Sequence, residues 1–134
     1  MRWTPDLMTG NAVVDAEHRE LIALIDKLEL VGDGPEGSGI AEALDELTDY
    51  VFVHFQMEEK LMRREDYPAD RLEAHVAEHR KLEQRTGELV KQYSDGALST
   101  VDPIVSFLYD WLQDHIQQVD RAMASYLRAK HRVS

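Results

Sequence analysis

The strongest constraint on the fold is a run of side chains spaced alternately three and four residues apart between positions 44 and 61. This spacing places all members on one face of an α-helix and is typical of the seam along which helices pack in a bundle. The seam is mostly aliphatic, but its centre carries an imidazole and a carboxylate. Its members are Leu44, Leu47, Val51, His54, Glu58 and Leu61.

Similar periodicity predicts three more helices, and no stretch of the sequence alternates as a strand would. We place the helices at 15–31, 40–65, 70–93 and 101–129, after an irregular N-terminal arm at 1–14. Asp15 is the expected N-cap of the first helix. Short connections between amphipathic helices favour an all-α fold, an antiparallel up-down-up-down four-helix bundle that occupies residues 1–134 as a single domain.

The net charge of -11 and the absence of cysteine restrict the classes of function. Nucleic acids and anionic membranes attract basic surfaces, so we expect no binding to either. Without thiolates, a bound metal must be held by nitrogen and oxygen atoms. The sequence shows no signal-peptide pattern and no apolar run of the roughly 18 residues that span a membrane, so a cytoplasmic protein is expected.

Five histidines and two carboxylates are predicted to converge on the core from all four helices. Burying an unpaired polar group costs about a few kcal/mol, against a total stability of about 5–15 kcal/mol. Hydrogen bonds could satisfy two or three such groups, whereas metal coordination can satisfy the whole set. Seven donors are too many for one tetrahedral zinc and suit two iron-type ions. The set is His18, His54, Glu58, His75, His79, His115 and Asp120.

The spacing of His115 and Asp120 is irregular, because five residues separate them. At about 100° per residue, an ideal α-helix would turn the two side chains roughly 140° apart. A single turn of π-helix would bring residues five apart onto one face, and such turns are common at functional sites. We therefore predict a distorted helix between these two residues.

These residues resemble the hemerythrin family, specifically its bacterial single-domain members. The resemblance covers nearly the whole chain, from Trp3 to Asp120. It implies a non-haem centre of two Fe ions, bridged by an oxo or hydroxo group and by Glu58 and Asp120. The matching motifs are Val14-Asp15-Ala16-Glu17-His18, His54-Phe55-Gln56-Met57-Glu58-Glu59, Tyr67-Pro68, His75-Val76-Ala77-Glu78-His79 and Trp111-Leu112-Gln113-Asp114-His115-Ile116.

The resemblance also implies an uneven division of the histidines between the two irons. His75, His79 and His115 would complete one iron. His18 and His54 would hold the other, which keeps one position open for dioxygen.

The function implied by the resemblance is reversible dioxygen binding for oxygen transport, storage or delivery, without enzymatic activity. Phe55, Trp111 and Leu112 are candidates for a dry apolar wall beside the dioxygen. An oxygen-consuming protein would then be a partner. Three alternatives stay open: an oxygen or redox sensor module, a di-iron enzyme that reduces nitric oxide or peroxide, and a di-zinc or di-manganese hydrolase. The hydrolase is disfavoured because no spare water-activating carboxylate is evident, although Glu59 lies close in sequence.

Overall fold

The computed structural model describes residues 5–32 and 39–132, and the regular structure in these ranges is helical. A short 3-10 turn at Pro5–Leu7 precedes the first long helix. A π-helix at His115–Asp120 joins α4 to α5, so that α4, the π-helix and α5 form the fourth helix of the bundle. The predicted all-α four-helix bundle is confirmed. The α-helices are α1 (Ala12–Gly32), α2 (Ile40–Arg64), α3 (Ala69–Ser94), α4 (Asp102–Asp114) and α5 (Arg121–Arg132).

Two apolar cores lie on either side of a polar layer along the bundle. The main core includes Leu21, Leu47, Leu82 and Leu108, one from each helix of the bundle. In α1 and α3 the chain passes from the second core, through the polar layer, to the main core, and in the other two helices it runs the opposite way. The helices therefore alternate in direction. The second core consists of Val14, Met62, Tyr67, Met123 and Leu127.

The first helix begins three residues earlier than predicted. Its N-terminus is capped by Asn11, whose side-chain oxygen accepts hydrogen bonds from the backbone N–H groups of Val13 and Val14, both at 3.1 Å. The prediction that Asp15 is the N-cap is therefore wrong. Asn and Asp cap helices about equally well, so tertiary contacts of the Asp15 carboxylate decide between them.

Asp15 fastens the N-terminal arm to the bundle. Its buried carboxylate accepts hydrogen bonds from the backbone N–H and the hydroxyl of Thr9, at 2.8 and 2.7 Å, and from the backbone N–H of Gly10 at 3.3 Å. Arg128 of α5 donates to the Thr9 carbonyl at 2.9 Å. The arm is thus held between the first and last helices, while Trp3 lies outside the described residues.

The other helix ends agree with the prediction to within three residues. α2 begins at Ile40 as predicted, and α5 continues to Arg132, three residues further than expected. Among the described residues, no helix is long and apolar enough to cross a membrane.

Candidate metal centre

All seven predicted side chains meet in the polar layer between the two cores. Each of the three α-helices α1 to α3 contributes one or two of them, and the π-helix contributes the remaining pair. All are buried, with at most 3% of the residue exposed. The set is His18 from α1, His54 and Glu58 from α2, His75 and His79 from α3, and His115 and Asp120 from the π-helix.

The donor atoms form two overlapping groups, and within each group one atom per residue lies within 4.8 Å of all the others. Glu58 and Asp120 belong to both groups. Three histidines complete one group and two complete the other, which is the division that the family resemblance implies. We refer to them as the three-histidine group (Glu58, His75, His79, His115 and Asp120) and the two-histidine group (His18, His54, Glu58 and Asp120).

Asp120 is placed to bridge the two groups through its two oxygens. Oδ2 lies 3.0 Å from Nε2 of His18, in the two-histidine group. Oδ1 lies 3.0 Å from Nε2 of His75 and 3.1 Å from Nε2 of His115, in the three-histidine group. A carboxylate that presents one oxygen to each donor group has the arrangement of a bridging ligand.

Glu58 also faces both groups. Its Oε1 lies 2.9 Å from Nε2 of His54 and 3.5 Å from Nε2 of His79. Its Oε2 lies 3.9 Å from Nε2 of His75. The second bridging position that the resemblance assigns to Glu58 is therefore occupied by a carboxylate within reach of both sets of imidazoles.

The predicted distortion of the fourth helix is present as the π-helix at His115–Asp120. Its wider turn brings residues five apart onto the same side, and both end residues point into the polar layer. The distortion begins at His115. The segment before it is an ordinary α-helix, from which Leu108 and Leu112 pack into the main core.

The donor atoms fit a metal ion because most of them lack a hydrogen-bond partner. Among the described residues, these unpartnered buried atoms include both oxygens of Glu58 and both oxygens of Asp120. Four imidazole Nε2 atoms also lack a hydrogen-bond partner, although carboxylate oxygens lie 3.0–3.9 Å away. Lone pairs that converge without hydrogen bonding are costly unless a cation satisfies them. The four are His18, His75, His79 and His115.

The two carboxylates repel each other in this buried layer. Burial raises the pKa of Glu58 well above its usual value, and the charge of Asp120 raises it further. Burial also acts to raise the pKa of Asp120, but its contacts with His115, His18 and His75 outweigh burial and hold that pKa well below its usual value. The protein alone thus favours one ionised carboxylate, whereas metal ions would favour two.

The pKa values of three of the imidazoles are shifted, and not all in the same direction. Burial lowers the pKa of His79 to about 2, and burial lowers the pKa of His18 as well. Burial also disfavours the charged form of His54, but the carboxylates of Glu58 and Glu17 outweigh it and raise that pKa to about 10. A metal ion requires neutral imidazoles and would take over the countercharge that the His54 proton supplies.

Two carboxylates outside the predicted set support the histidines. Glu59 is buried, and its Oε2 lies 3.0 Å from Nδ1 of His79 while its Oε1 accepts a hydrogen bond from Arg80 at 2.7 Å. In the two-histidine group, Nδ1 of His54 lies 3.6 Å from Oε2 of Glu17. Carboxylates on the outer nitrogen of ligand histidines orient the ring and raise its basicity. The only sequence signal was their position next to a predicted ligand.

The three candidate wall residues occupy different places. The Phe55 ring stacks on His79 with centroids 3.8 Å apart and is 1% exposed. Trp111 stacks on His115 at 4.3 Å and is only partly buried. Leu112 is buried in the main core. Both aromatic rings therefore stack on imidazoles of the three-histidine group.

Fold and site together define a non-haem metal-binding protein, in which a four-helix bundle holds a histidine and carboxylate cluster. The family model of the hemerythrin HHE cation binding domain matches residues 9–127. The chain belongs to the hemerythrin family, which binds non-haem iron.

Relatives and solved structures agree with this assignment. The chain is 34% identical to a bacteriohemerythrin of Methylococcus capsulatus (strain ATCC 33009 / NCIMB 11132 / Bath), over 96% of this chain and 98% of that protein. It is 32% identical to a bacteriohemerythrin of Pseudomonas aeruginosa (strain UCBPP-PA14), over 94% of this chain and 80% of that protein. A crystal structure of wild-type hemerythrin superposes with a TM-score of 0.83 at 33% identity, covering 93% of this chain and 95% of that one.

Proposed function

We propose that this chain binds dioxygen reversibly at a centre of two Fe ions joined by an oxo or hydroxo bridge. The observation that carries the proposal is the pair of donor groups, which share two carboxylates but hold three histidines and two histidines. If Glu58 and Asp120 each gave one oxygen to each ion, the protein would supply five donors to one ion and four to the other. The ion held by His18 and His54 would then have fewer protein ligands and room for a small ligand.

The charge of the donor set suits an oxygen carrier. Two ferrous ions bring about four positive charges, and two carboxylates with one hydroxide cancel three of them, so the buried layer ends close to neutral. Neutral imidazoles donate less charge than carboxylates, and a histidine-rich set therefore stabilises highly oxidised iron less than the carboxylate-rich sites of ferritin-like bundles. When bound, the ferrous pair supplies the electrons that hold dioxygen.

The chain's own residues keep the centre dry and hold its geometry. Phe55 covers His79 in the buried layer, and Glu59 fixes the outer nitrogen of the same ring. Near the two-histidine group, the carboxylate of Glu17 faces His54 and is therefore not free to act as a general acid. Among the described residues no other carboxylate there is evident as a general acid, which supports binding rather than enzymatic turnover. We propose a cytoplasmic role in oxygen transport, storage or delivery, with an oxygen-consuming protein as the recipient.

The test is metal analysis combined with an optical spectrum of the purified protein. We expect two irons per chain and, after anaerobic reduction, a charge-transfer band that appears with oxygen and disappears when oxygen is removed. A band that never forms, or oxygenation that cannot be reversed, would contradict the proposal. Catalytic consumption of nitric oxide or peroxide under the same conditions would favour the enzyme instead.

A further inference from the structure

We propose that Trp111 and the acidic pocket around it are where electrons enter the centre from a positively charged one-electron donor. The inference rests on the proposed function, because a ferrous centre that has lost electrons must be reduced before it can bind dioxygen again. It assigns a docking surface and a partner chemistry to a part of the molecule outside the donor set.

Trp111 is the aromatic contact between the donor groups and the surface. Its indole stacks on the imidazole of His115 with centroids 4.3 Å apart and planes 16° apart. Phe55 makes a similar stack on His79 but is 1% exposed. Among the described residues, Trp111 is thus the ring that both contacts a cluster histidine and is only partly buried.

The pocket beside Trp111 has a volume of about 290 Å³ and reaches a donor residue of the centre. His115 forms part of its lining and is 3% exposed. The Nε2 atom of His115 faces Asp120 at 3.1 Å, so Nδ1 lies on the opposite side of the ring, and it has no hydrogen-bond partner among the described residues. The pocket therefore ends at the ring on which the indole stacks, and that ring carries a buried nitrogen without a hydrogen-bond partner.

The charge of the pocket selects the donor. Apart from His115, its charged lining residues are Glu78 and Asp114, which are both acidic, and the chain as a whole carries -11. A donor with cations around its redox group would be attracted to this surface, and an anionic donor would be repelled. Each encounter passes one electron through the stacked indole and imidazole. The donor is oxidised by one electron, one ferric ion becomes ferrous, and two encounters restore the diferrous centre.

The main experiment measures reduction rates of the oxidised, iron-loaded protein by two small donors of opposite charge. We expect hexaammineruthenium(II), a cation, to reduce it faster as ionic strength falls, and iron(II)–EDTA, an anion, to show the opposite trend. Replacing Glu78→Gln together with Asp114→Asn should slow the cationic donor about tenfold at low ionic strength. The matched control replaces Glu42→Gln with Asp45→Asn, two exposed carboxylates near the start of α2, and should leave the rate unchanged. Equal effects of the two double variants would overturn the inference.

Variants of Trp111 test the route itself. Trp111→Leu removes the stacked ring and should slow the cationic donor about tenfold, whereas Trp111→Phe should restore most of the rate. The iron content and the reduction potential of both variants show whether the centre is intact. A Leu variant with unchanged iron, potential and rate would contradict a route through the indole.

A second readout does not depend on the redox activity of iron. In a Trp3→Phe background Trp111 is the remaining tryptophan, since the chain has two. We expect caesium to quench its fluorescence more strongly than iodide, relative to a free indole, and the Glu78→Gln, Asp114→Asn variant to lose this preference. If the preference is absent, the docking surface is wrong even if oxygen binds reversibly. If it is present but no reversible oxygen band forms, the proposed function fails and the docking surface stands.

Discussion

Replacing Glu59→Gln should weaken iron binding although Glu59 belongs to neither donor group. The glutamate oxygens contact Nδ1 of His79 at 3.0 Å and the guanidinium of Arg80 at 2.7 Å. Glutamine has nearly the same size but carries no charge. Its amide N–H₂ cannot accept a hydrogen bond, so it cannot replace both carboxylate oxygens. Either Nδ1 of His79 or the Arg80 guanidinium would lose its acceptor, and the His79 ring would be held less firmly.

The expected magnitude is a 10- to 100-fold loss of iron affinity, as is typical when the outer partner of a ligand histidine is removed, and this corresponds to about 1.4–2.7 kcal/mol. Competition with a ferrous chelator under anaerobic conditions measures the affinity directly. Glu83→Gln is a matched control, because Glu83 binds the same Arg80 at 3.0 Å but is not a partner of His79. We expect this control to keep the wild-type affinity.

Two results would refute the reasoning. Wild-type iron affinity in the Glu59→Gln variant would show that His79 needs no outer partner. An equal loss in the Glu83→Gln control would show that the effect comes from Arg80 or from general stability, and not from the imidazole. Thermal unfolding of both variants separates a change of affinity from a change of fold.

Further substitutions test the site, the arm and the second core. His54→Ala or Glu58→Ala should give iron-poor protein with a lower Tm, and wild-type values of both would contradict a ligand role. Asp15→Ala removes the acceptor of three hydrogen bonds and should cost about 2–4 kcal/mol in chemical denaturation. Met62→Ala, at a fully buried position of the second core, should cost about 2–5 kcal/mol. Leu30→Ala, at a position 74% exposed, is its control and should change the unfolding free energy by less than about 0.5 kcal/mol.

The helices and the donor set could be predicted because one spacing rule governs both. A side chain three or four residues from Leu or Val on a helix shares its buried face, so the sequence alone predicts that His54 and Glu58 lie in the core. The same rule could not choose between Asn11 and Asp15 as the cap of α1. Both residue types cap helices, and only the contact of Asp15 with Thr9 shows which one does.

The supporting residues were beyond sequence reasoning for a different reason. Glu59 lies about 100° around α2 from Glu58, where the periodicity predicts a solvated side chain. It is buried because α3 packs against that side of α2 and brings His79 and Arg80 to it. Contacts between helices, and not the pattern along one helix, decide such positions.

The fourth helix shows how a departure from regular spacing carries information. On α2 and α3 the paired donors are four residues apart, as α-helical geometry requires, but on the fourth helix five residues separate His115 from Asp120. With about 3.6 residues per turn that gap would turn one donor out of the layer, whereas a π-turn with about 4.4 residues brings it back to within roughly 50°. Leu108, before the π-turn, lies in the main core, and Met123, after it, lies in the second core. A π-helix at this point is therefore the geometry that places both donors of this helix in the layer between the two cores.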